Sequence, residues 1–166
     1  ILAMAKARDV QAVQVGGPSG ACIGPDEFGR VLAYEDLATG GSFIIIGRHR
    51  DILRDVVLNF ARFFREESCG SCVPWRALTG MAQVVLEGII AGQGTAEDVA
   101  RLQAWQKIMR NNRCGLGQTA LNPIVTTIRN FRPLYEARLS RGDPRFVPSF
   151  DLPAAVRDYE AAVANG

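Results

Sequence analysis

The spacing of apolar residues changes near residue 51, and this change limits the chain to a few kinds of fold. Before it, Val10–Val15 alternates with a period of two and residues 42–46 form a β-branched apolar run, which indicates two strands. After it, apolar residues recur with a period of about 3.6, which is typical of amphipathic helices. A chain of 166 residues with this order is expected to be an α+β protein.

Residues 1–48 are interpreted as a small segment of strands and turns. A helical start is predicted over residues 2–7, and a strand over residues 42–46 is expected to be buried on both faces. The glycine-rich loop over residues 16–20 lacks the GxGxxG spacing and the Lys-Ser/Thr pair of phosphate-binding loops. A plain turn is therefore favoured over a nucleotide site.

Residues 49–133 are predicted to form four helices. The first covers residues 51–67, and the third begins at Thr95, where Asp98 completes a pattern similar to a capping box. The fourth covers residues 121–131 and is expected to end or bend at Pro133. Because the connections are short, the pattern predicts an up-and-down four-helix bundle. The second helix is expected to turn four apolar residues toward the core: Leu78, Met81, Val85 and Ile89.

Residues 134–166 are predicted to be an irregular, proline-containing tail with one short helix within residues 154–163. No uninterrupted apolar run exceeds five residues, the length of residues 1–5, which is far below the roughly 18 to 20 residues of a membrane-spanning helix. With 19 Lys and Arg against 17 Asp and Glu, the chain lacks the basic excess typical of nucleic-acid binding. The first residues contain neither an initiator methionine nor a signal peptide, so we expect a piece of a longer protein. A chain of this size, rich in Leu, Val and Ile, does not need its four cysteines as disulfides, so a reducing, cytoplasmic compartment is expected.

Three of the four cysteines are spaced as metal or redox ligands. Cys69 and Cys72 form a CxxC in the loop between the first two predicted helices, and Cys114 lies between the third and fourth. In an up-and-down bundle these loops share one end, so the three thiols are expected to converge. A redox pair, a zinc site and an iron–sulfur cluster are all considered.

The sequence around the cysteines favours the three alternatives to different degrees. A redox CxxC is expected after a strand in a βαβ unit, which is absent from the pattern. A zinc site needs a fourth ligand, and the only histidine, His49, is predicted to lie at the surface before the first helix. Cys22 lies far from the motif and is expected to be a buried, idle thiol. An iron–sulfur cluster accepts a CxxC and one remote cysteine, here with one ligand missing.

The sequence ESCGSCVPWR over residues 67–76, followed by CGLG over residues 114–117, resembles a known iron–sulfur signature. It is similar to the ESCGxCxPCR and C-x-LG motifs of the flavin-bearing, NADH-oxidising subunit of respiratory complex I. The same module occurs in the diaphorase subunit of NAD-reducing hydrogenases and in NAD-dependent formate dehydrogenases. Residues 15–20, 34–37 and 40–45 resemble the ubiquitin-like (SLBB) domain of that family, entered part way through.

The resemblance implies an electron-relay module. In that family the bundle holds a [4Fe–4S] cluster that takes electrons from FMN and passes them to partner-subunit clusters. FMN and NAD are implied to bind an N-terminal domain that this chain does not contain. Transferred residue by residue, the resemblance implies Cys69, Cys72 and Cys114 as metal ligands, and FMN close to Gly115 and Leu116. It implies partners in a hydrogenase, formate dehydrogenase or complex I-like assembly, with neither nucleic acid nor direct membrane insertion.

Trp75 stands where the family's motif has its third cysteine. An indole N–H donates a hydrogen bond and does not coordinate metal. Two outcomes are considered for the cluster. In the first, it persists on three thiolates, either as a [4Fe–4S] form with another ligand on one iron or as a [3Fe–4S] form. In the second, it is lost and Trp75 fills its place. Zinc is a third outcome. The functional alternative to electron relay is a cluster-free structural or docking module of the same complex.

Overall fold

The computed structural model describes residues 1–140 and, beyond them, positions 156, 157, 160, 161 and 163. Three strands form one antiparallel sheet in the order β2-β1-β3, with β1(Val10–Val15) between β2(Ala21–Ile23) and β3(Phe43–Gly47). In the register of the sheet, Val13 of the central strand lies opposite Ile23 and Ile45. The prediction of β1 is therefore confirmed, whereas β2 has no counterpart among the predicted elements.

Two predictions for the first segment are wrong. Residues 2–6 form turns and not a helix, although the Ala7 N–H donates to the Leu2 carbonyl oxygen. In β3, Ile46 is buried but Ile44 is 42% exposed, so the strand is not buried along its whole length. The reason is that β3 lies at an edge of the sheet: Ile46 reaches the helical core and Phe43 packs against a second, smaller apolar cluster, whereas Ile44, on the same face as Ile46, is left partly open to solvent.

The helical part begins with Asp51, whose carboxylate accepts hydrogen bonds from the N–H groups of Leu53 and Arg54. A π-helical segment, Ile52–Val57, then continues into the first α-helix, which confirms a helical stretch from Asp51 onward. The described α-helices are α1(Leu58–Glu66), α2(Val73–Ile90), α3(Ala96–Met109), α4(Gly115–Thr119), α5(Asn122–Asn130) and α6(Arg132–Glu136). Among them, α1 packs against α2, α2 against α3, and α3 against α5.

The core face of α2 differs from the predicted face at Met81, which is 49% exposed. The helix begins at Val73, and its first turn contains Trp75. The buried residues follow at intervals of three and four, so the centre of the face lies nearer Ala82 than Met81. The buried apolar residues of α2 are Trp75, Leu78, Ala82, Leu86 and Ile89.

Three helices lie in and beside the region of the fourth predicted helix, residues 121–131. The short α4 forms within a predicted loop, and α5 matches the predicted helix within one residue at each end. Pro133 lies in the first turn of α6, where the missing proline N–H leaves no helical hydrogen bond unmade. Tyr135 of α6 is fully buried, so the expected irregular tail does not begin at residue 134. The short helix expected within residues 154–163 lies for the most part outside the described residues.

One apolar core connects the sheet with the helices. Ala12, Cys22 and Ile46 belong to the same cluster of buried residues as the helical core. The junction is also hydrogen-bonded, since the Asn130 side chain donates to the Cys22 carbonyl oxygen at 2.9 Å and the Cys22 N–H donates to Thr126 Oγ1 at 3.0 Å. Within the described part of the chain, the helices are too short or too polar for any of them to cross a membrane.

Candidate metal centre at the cysteine loops

Two of the three candidate ligands occupy the residue that immediately precedes a helix. Cys72 is the N-cap of α2, and Cys114 is the N-cap of α4. The Arg113 N–H donates to Cys72 Sγ at 3.5 Å, and the Gly117 N–H donates to Cys114 Sγ at 3.5 Å. The thiol of Cys72 therefore lies against the loop that contains Cys114, although 41 residues separate Cys72 from Arg113.

The third candidate, Cys69, lies in an exposed loop that is tied to α2. Gly70 has φ +76, a left-handed conformation that side chains disfavour, and its N–H donates to Ser68 Oγ at 3.3 Å. The Arg76 guanidinium, in the first turns of α2, donates to the Gly70 carbonyl oxygen. These contacts place the Cys69 loop beside the start of α2 and leave its thiol open to solvent.

The structure brings these cysteines together only in part. Cys72 and the Cys114 loop are in contact, as described above. Among the described residues, no group of three or more His, Cys, Asp or Glu side chains is close enough to hold a metal ion. A single site formed by all three thiols thus stays a prediction.

Trp75 points into the helical core. Its side chain is 3% exposed, and its indole N–H donates to the Phe64 carbonyl oxygen at 2.7 Å. Its backbone N–H donates to Asn112 Oδ1 at 3.2 Å. The indole is therefore committed to the core as a donor, and it has no lone pair to offer a metal.

Asn112 connects the helices around the cysteine loops, and sequence reasoning missed it. Its buried side chain accepts from Trp75 and donates to the carbonyl oxygens of Met109, at 2.8 Å, and Gly117, at 3.1 Å. Three helices are thereby joined at one amide: α2, α3 and α4. A lone asparagine in a polar loop gives no sequence signal for such a role, because asparagine is common in loops.

Charged side chains surround the cysteine loops. Arg76, Arg110 and Arg113 are exposed near them, and Glu66 and Glu67 lie at the end of α1 just before Cys69. Positive charge near a thiolate-ligated cluster offsets its net negative charge. Solvation of helix ends explains the same arginines equally well, so we assign no individual role to them.

The remaining predicted residues lie elsewhere. Cys22 is fully buried in β2, which confirms the expectation of a buried thiol. Burial, with a smaller contribution from the charge of Glu27, raises the pKa of Cys22 to about 12. His49 is exposed, as expected, and its ring lies against Gly47, away from the cysteine loops. Gly115 and Leu116, the residues expected near a flavin, are both exposed at the start of α4.

By donor type, the three cysteines match three of the four ligand positions of a cubane iron–sulfur cluster, although the structure does not gather them into one site. Such clusters are held by cysteine thiolates, and hydrogen bonds to the sulfurs are one means of setting their potential. Cys72 and Cys114 already accept backbone N–H groups. Cys69 supplies a third accessible thiol, whereas Trp75 supplies none.

Comparison with known proteins places these residues in a family. Residues 55–138 match the family described as the NADH-ubiquinone oxidoreductase-F iron-sulfur binding region. The chain is 43% identical over 167 residues to the NAD-reducing hydrogenase HoxS subunit alpha of Cupriavidus necator, covering 99% of this chain and 28% of that protein. It is 34% identical over 135 residues to the NADP-reducing hydrogenase subunit HndC of Solidesulfovibrio fructosivorans, covering 78% of this chain and 28% of that subunit.

A solved structure is similar over most of the chain. An NAD+-reducing [NiFe]-hydrogenase in the H2-reduced state aligns with a TM-score of 0.76 and 37% identity, covering 93% of this chain and 27% of that chain. The chain thus spans a little more than a quarter of the length of these relatives. This alignment includes both the small sheet and the helices.

Proposed function

The chain belongs to the family of the NADH-ubiquinone oxidoreductase-F iron-sulfur binding region, and from this premise we propose that it is an electron-relay module. It works within a larger NAD(H)-dependent oxidoreductase and has no catalytic activity alone. The observation that carries the proposal is the contact between the Cys72 thiol and the loop of Cys114. This contact joins two cysteines that are distant in sequence at one accessible end of the helices.

The proposed ligands are Cys69, Cys72 and Cys114, and the proposed cofactor is a [4Fe–4S] cluster or its [3Fe–4S] form. Cys72 and Cys114 already lie on adjacent loops, and the exposed Cys69 loop is the part that closes onto the metal. A thiolate-held cluster supplies one-electron transfer when bound. The residues of this chain hold it at the surface, where electrons can enter and leave.

The flavin and the nicotinamide are proposed to bind the part of the parent subunit that this chain does not include. The relatives' names describe NAD-reducing and NADP-reducing hydrogenase subunits, of which this chain covers 28%. We place the flavin side of the module at Gly115 and Leu116. Leu116 and Val73 are 38% and 60% exposed beside the cysteines, and such apolar exposure suits contact with a neighbouring domain.

We also propose a division of the chain by fold. Residues 1–48 correspond to part of a ubiquitin-like (SLBB) domain and residues 49–133 to an up-and-down four-helix bundle. Residues 134–166 correspond to a proline-containing tail whose first residues complete α6. The three-stranded sheet and the packing of α1 on α2, α2 on α3 and α3 on α5 support this assignment. Partners are the flavin domain and further iron–sulfur subunits of a hydrogenase, formate dehydrogenase or complex I-like assembly.

The test is the iron and acid-labile sulfide content of the anaerobically prepared chain, with EPR before and after dithionite. We expect about three to four of each per chain and a signal that changes on reduction. Cys72→Ser and Cys114→Ser should each lower the iron content by more than half. Cys22→Ala is the control and should keep the full content, because Cys22 is buried in β2 and is not part of the cysteine loops.

A folded, colourless protein without iron or sulfide would contradict electron relay. It would favour the alternative function, a cluster-free structural or docking module in which Trp75 has replaced a ligand. Bound zinc without sulfide would contradict both and indicate a zinc-stabilised fold. Circular dichroism of the same samples separates these results from unfolding.

A further inference from the structure

The helix α2 turns an apolar surface toward solvent. Val84 is 66% exposed and Met81 about half exposed, and Ala77 is exposed on the same side of the helix. A Cβ added at Gly80 would meet no heavy atom of the described residues within 4 Å, so this side of α2 is open. We call these four residues the α2 face. They lie away from the buried residues of α2, because residues three, four and seven positions apart share one side of a helix.

The α2 face lines an open depression of about 500 Å³. Helices α1 and α3 both pack against α2, and Trp105 of α3 adds part of the lining. A strand needs unpaired backbone N–H and C=O groups to bind, and the middle of an α-helix offers none. The depression therefore suits the apolar side of another helix, whose side chains fit between those of its neighbours.

Among the described residues, the charged side chains that line the depression are both cations, Arg65 of α1 and Arg101 of α3. Arg101 is compensated within its own helix, where it pairs with Glu97 at 2.6 Å. Arg65 donates to the neutral side chain of Gln83 at 3.1 Å. The carboxylate of Glu87 does not compensate it, because another arginine binds that carboxylate at 3.2 Å. An occupant with a carboxylate on its apolar side would therefore meet Arg65.

The end of the described chain supplies such a helix. Positions 156, 157, 160, 161 and 163 are helical, and Val156, Glu160 and Val163 are spaced as one side of a helix. Both valines are exposed, and Glu160 is exposed between them. The carboxylate is therefore flanked by two apolar side chains that the described residues leave uncovered.

The path of the chain brings this helix within reach of the α2 face. The Ser140 N–H donates to the Gly94 carbonyl oxygen at 2.7 Å, in the connection between α2 and α3. From there, the residues up to Val156 can span at most about 50 Å. The part of α2 from Ile90 back to Ala77 is only about 20 Å long. Contact within one molecule is thus possible, and in dilute solution it is favoured over contact with a second copy.

We propose that the C-terminal helix with Val156, Glu160 and Val163 closes onto the α2 face of the same molecule. Its two valines cover the apolar side chains of the face, and Glu160 pairs with Arg65. The contact needs neither metal nor cofactor, so it goes beyond the proposed function and is tested separately from it. Two copies packed face to face on α2 would instead bring like charges together, which is unfavourable.

The three methionines of the chain report on this contact. Met4 is exposed and Met109 is fully buried, so they mark the limits of reactivity toward hydrogen peroxide in the full 166-residue chain. Closure covers Met81, so we expect Val163→Asp to raise the oxidation rate of Met81 about fivefold without changing that of Met4. Val31→Asp is the matched control, since Val31 is 65% exposed in the first segment, and should leave the Met81 rate unchanged. Peptide mass spectrometry measures the rates.

An exchange of charges tests the identity of the occupant. Glu160→Arg and Arg65→Glu should each raise the Met81 rate about threefold, because each brings like charges together. The double variant restores an opposite pair and should return the rate toward the wild-type value. Both sites are exposed, so circular dichroism should show the same fold in all four proteins.

Three results would overturn the proposal. An unchanged Met81 rate in Val163→Asp would mean that the C-terminal helix does not cover the α2 face. Protection of Met81 that grows with protein concentration, together with a dimer in light scattering, would mean that a second copy covers it. Additive effects of Glu160→Arg and Arg65→Glu, without recovery in the double variant, would mean that another molecule supplies the partner of Arg65.

Discussion

Two junctions in this molecule are each held by one asparagine side chain, but they treat their cysteines differently. At the junction of sheet and helices, Asn130 donates to the Cys22 carbonyl oxygen, and the Cys22 thiol is fully buried. At the cysteine loops, Asn112 bonds to Trp75 and Gly117, the nearby Cys69 and Cys114 are exposed and Cys72 is half-buried. The comparison shows that thiols can stay accessible to solvent beside a tightly packed core.

The reason lies in what fills each junction. The core beside Cys22 includes the thiol itself, whose burial raises its pKa and keeps it protonated. At the cysteine loops Trp75 fills the core, Cys72 packs against its edge, and Cys69 and Cys114 are exposed. Only the second arrangement offers sulfur to a metal, since the thiolate is the form that ligates.

The largest expected effect is the difference in stability loss between variants of the two asparagines. Asn112→Ala leaves the Trp75 N–H and the Gly117 carbonyl without their buried partner, so we expect it to lower the free energy of unfolding by about 2–4 kcal/mol. Asn130→Ala, at a half-buried site, should lower it by about 1 kcal/mol. Urea unfolding followed by circular dichroism measures both. Equal losses would mean that the two junctions are supported alike.

A smaller difference in stability is expected between two glycine variants in α4. A Cβ at Gly117 would lie 2.9 Å from Trp75 Cε3 and 3.0 Å from Asn112 Cβ, whereas one at Gly115 would meet no heavy atom within 4 Å. We expect Gly117→Ala to destabilise the chain by about 1–3 kcal/mol through overpacking. Gly115→Ala is the control, with a change below about 0.5 kcal/mol. Thermal unfolding of the pair would contradict the tight packing if both variants melt together.

The smallest effect is the alkaline response of Cys22. Its pKa is raised to about 12 in the folded state, against about 8.5 when unfolded, so its stabilising contribution is complete below about pH 8.5. As pH rises from there toward 12, the unfolded state loses the proton first. Stability should fall by roughly 1 kcal/mol for each pH unit.

Comparison of variants isolates this contribution. In Cys22→Ala the fall from pH 8.5 to 10 should become shallower, whereas Cys69→Ala, at an exposed thiol, should match the wild type. Tyr135, whose pKa is also raised by burial, acts in the same direction above about pH 10 in all three proteins. Urea unfolding at several pH values provides the test. An unchanged slope in Cys22→Ala would contradict the buried, protonated thiol.

Local signals in the sequence predicted local structure well. Thr95 and Asp98 indicated a helix start, and both bonds of the capping box are present. The CxxC and the later cysteine indicated adjacent loops, and the Cys72 contact with Arg113 agrees with that interpretation. In both cases the residues concerned lie within a few positions of one another or at the ends of helices. At such places the residue pattern predicts local structure.

Long-range packing was not predictable in the same way. The exposure of Ile44 depends on which strand β3 pairs with, and the role of Asn112 depends on Trp75, 37 residues away. The indole bond to Phe64 decides which way Trp75 points, and spacing along one helix does not specify a partner on another. Tertiary partners of this kind determine burial, and the sequence pattern alone does not identify them.

The central claim is that Cys69, Cys72 and Cys114 hold one iron–sulfur cluster, and differential alkylation tests it most directly. The anaerobically loaded chain and the same chain stripped of iron are treated with iodoacetamide and analysed by peptide mass spectrometry. The account predicts that loading protects these three thiols together, while Cys22 reacts only after unfolding in both samples. Alkylation of Cys69 or Cys114 at the same rate with and without iron would contradict it.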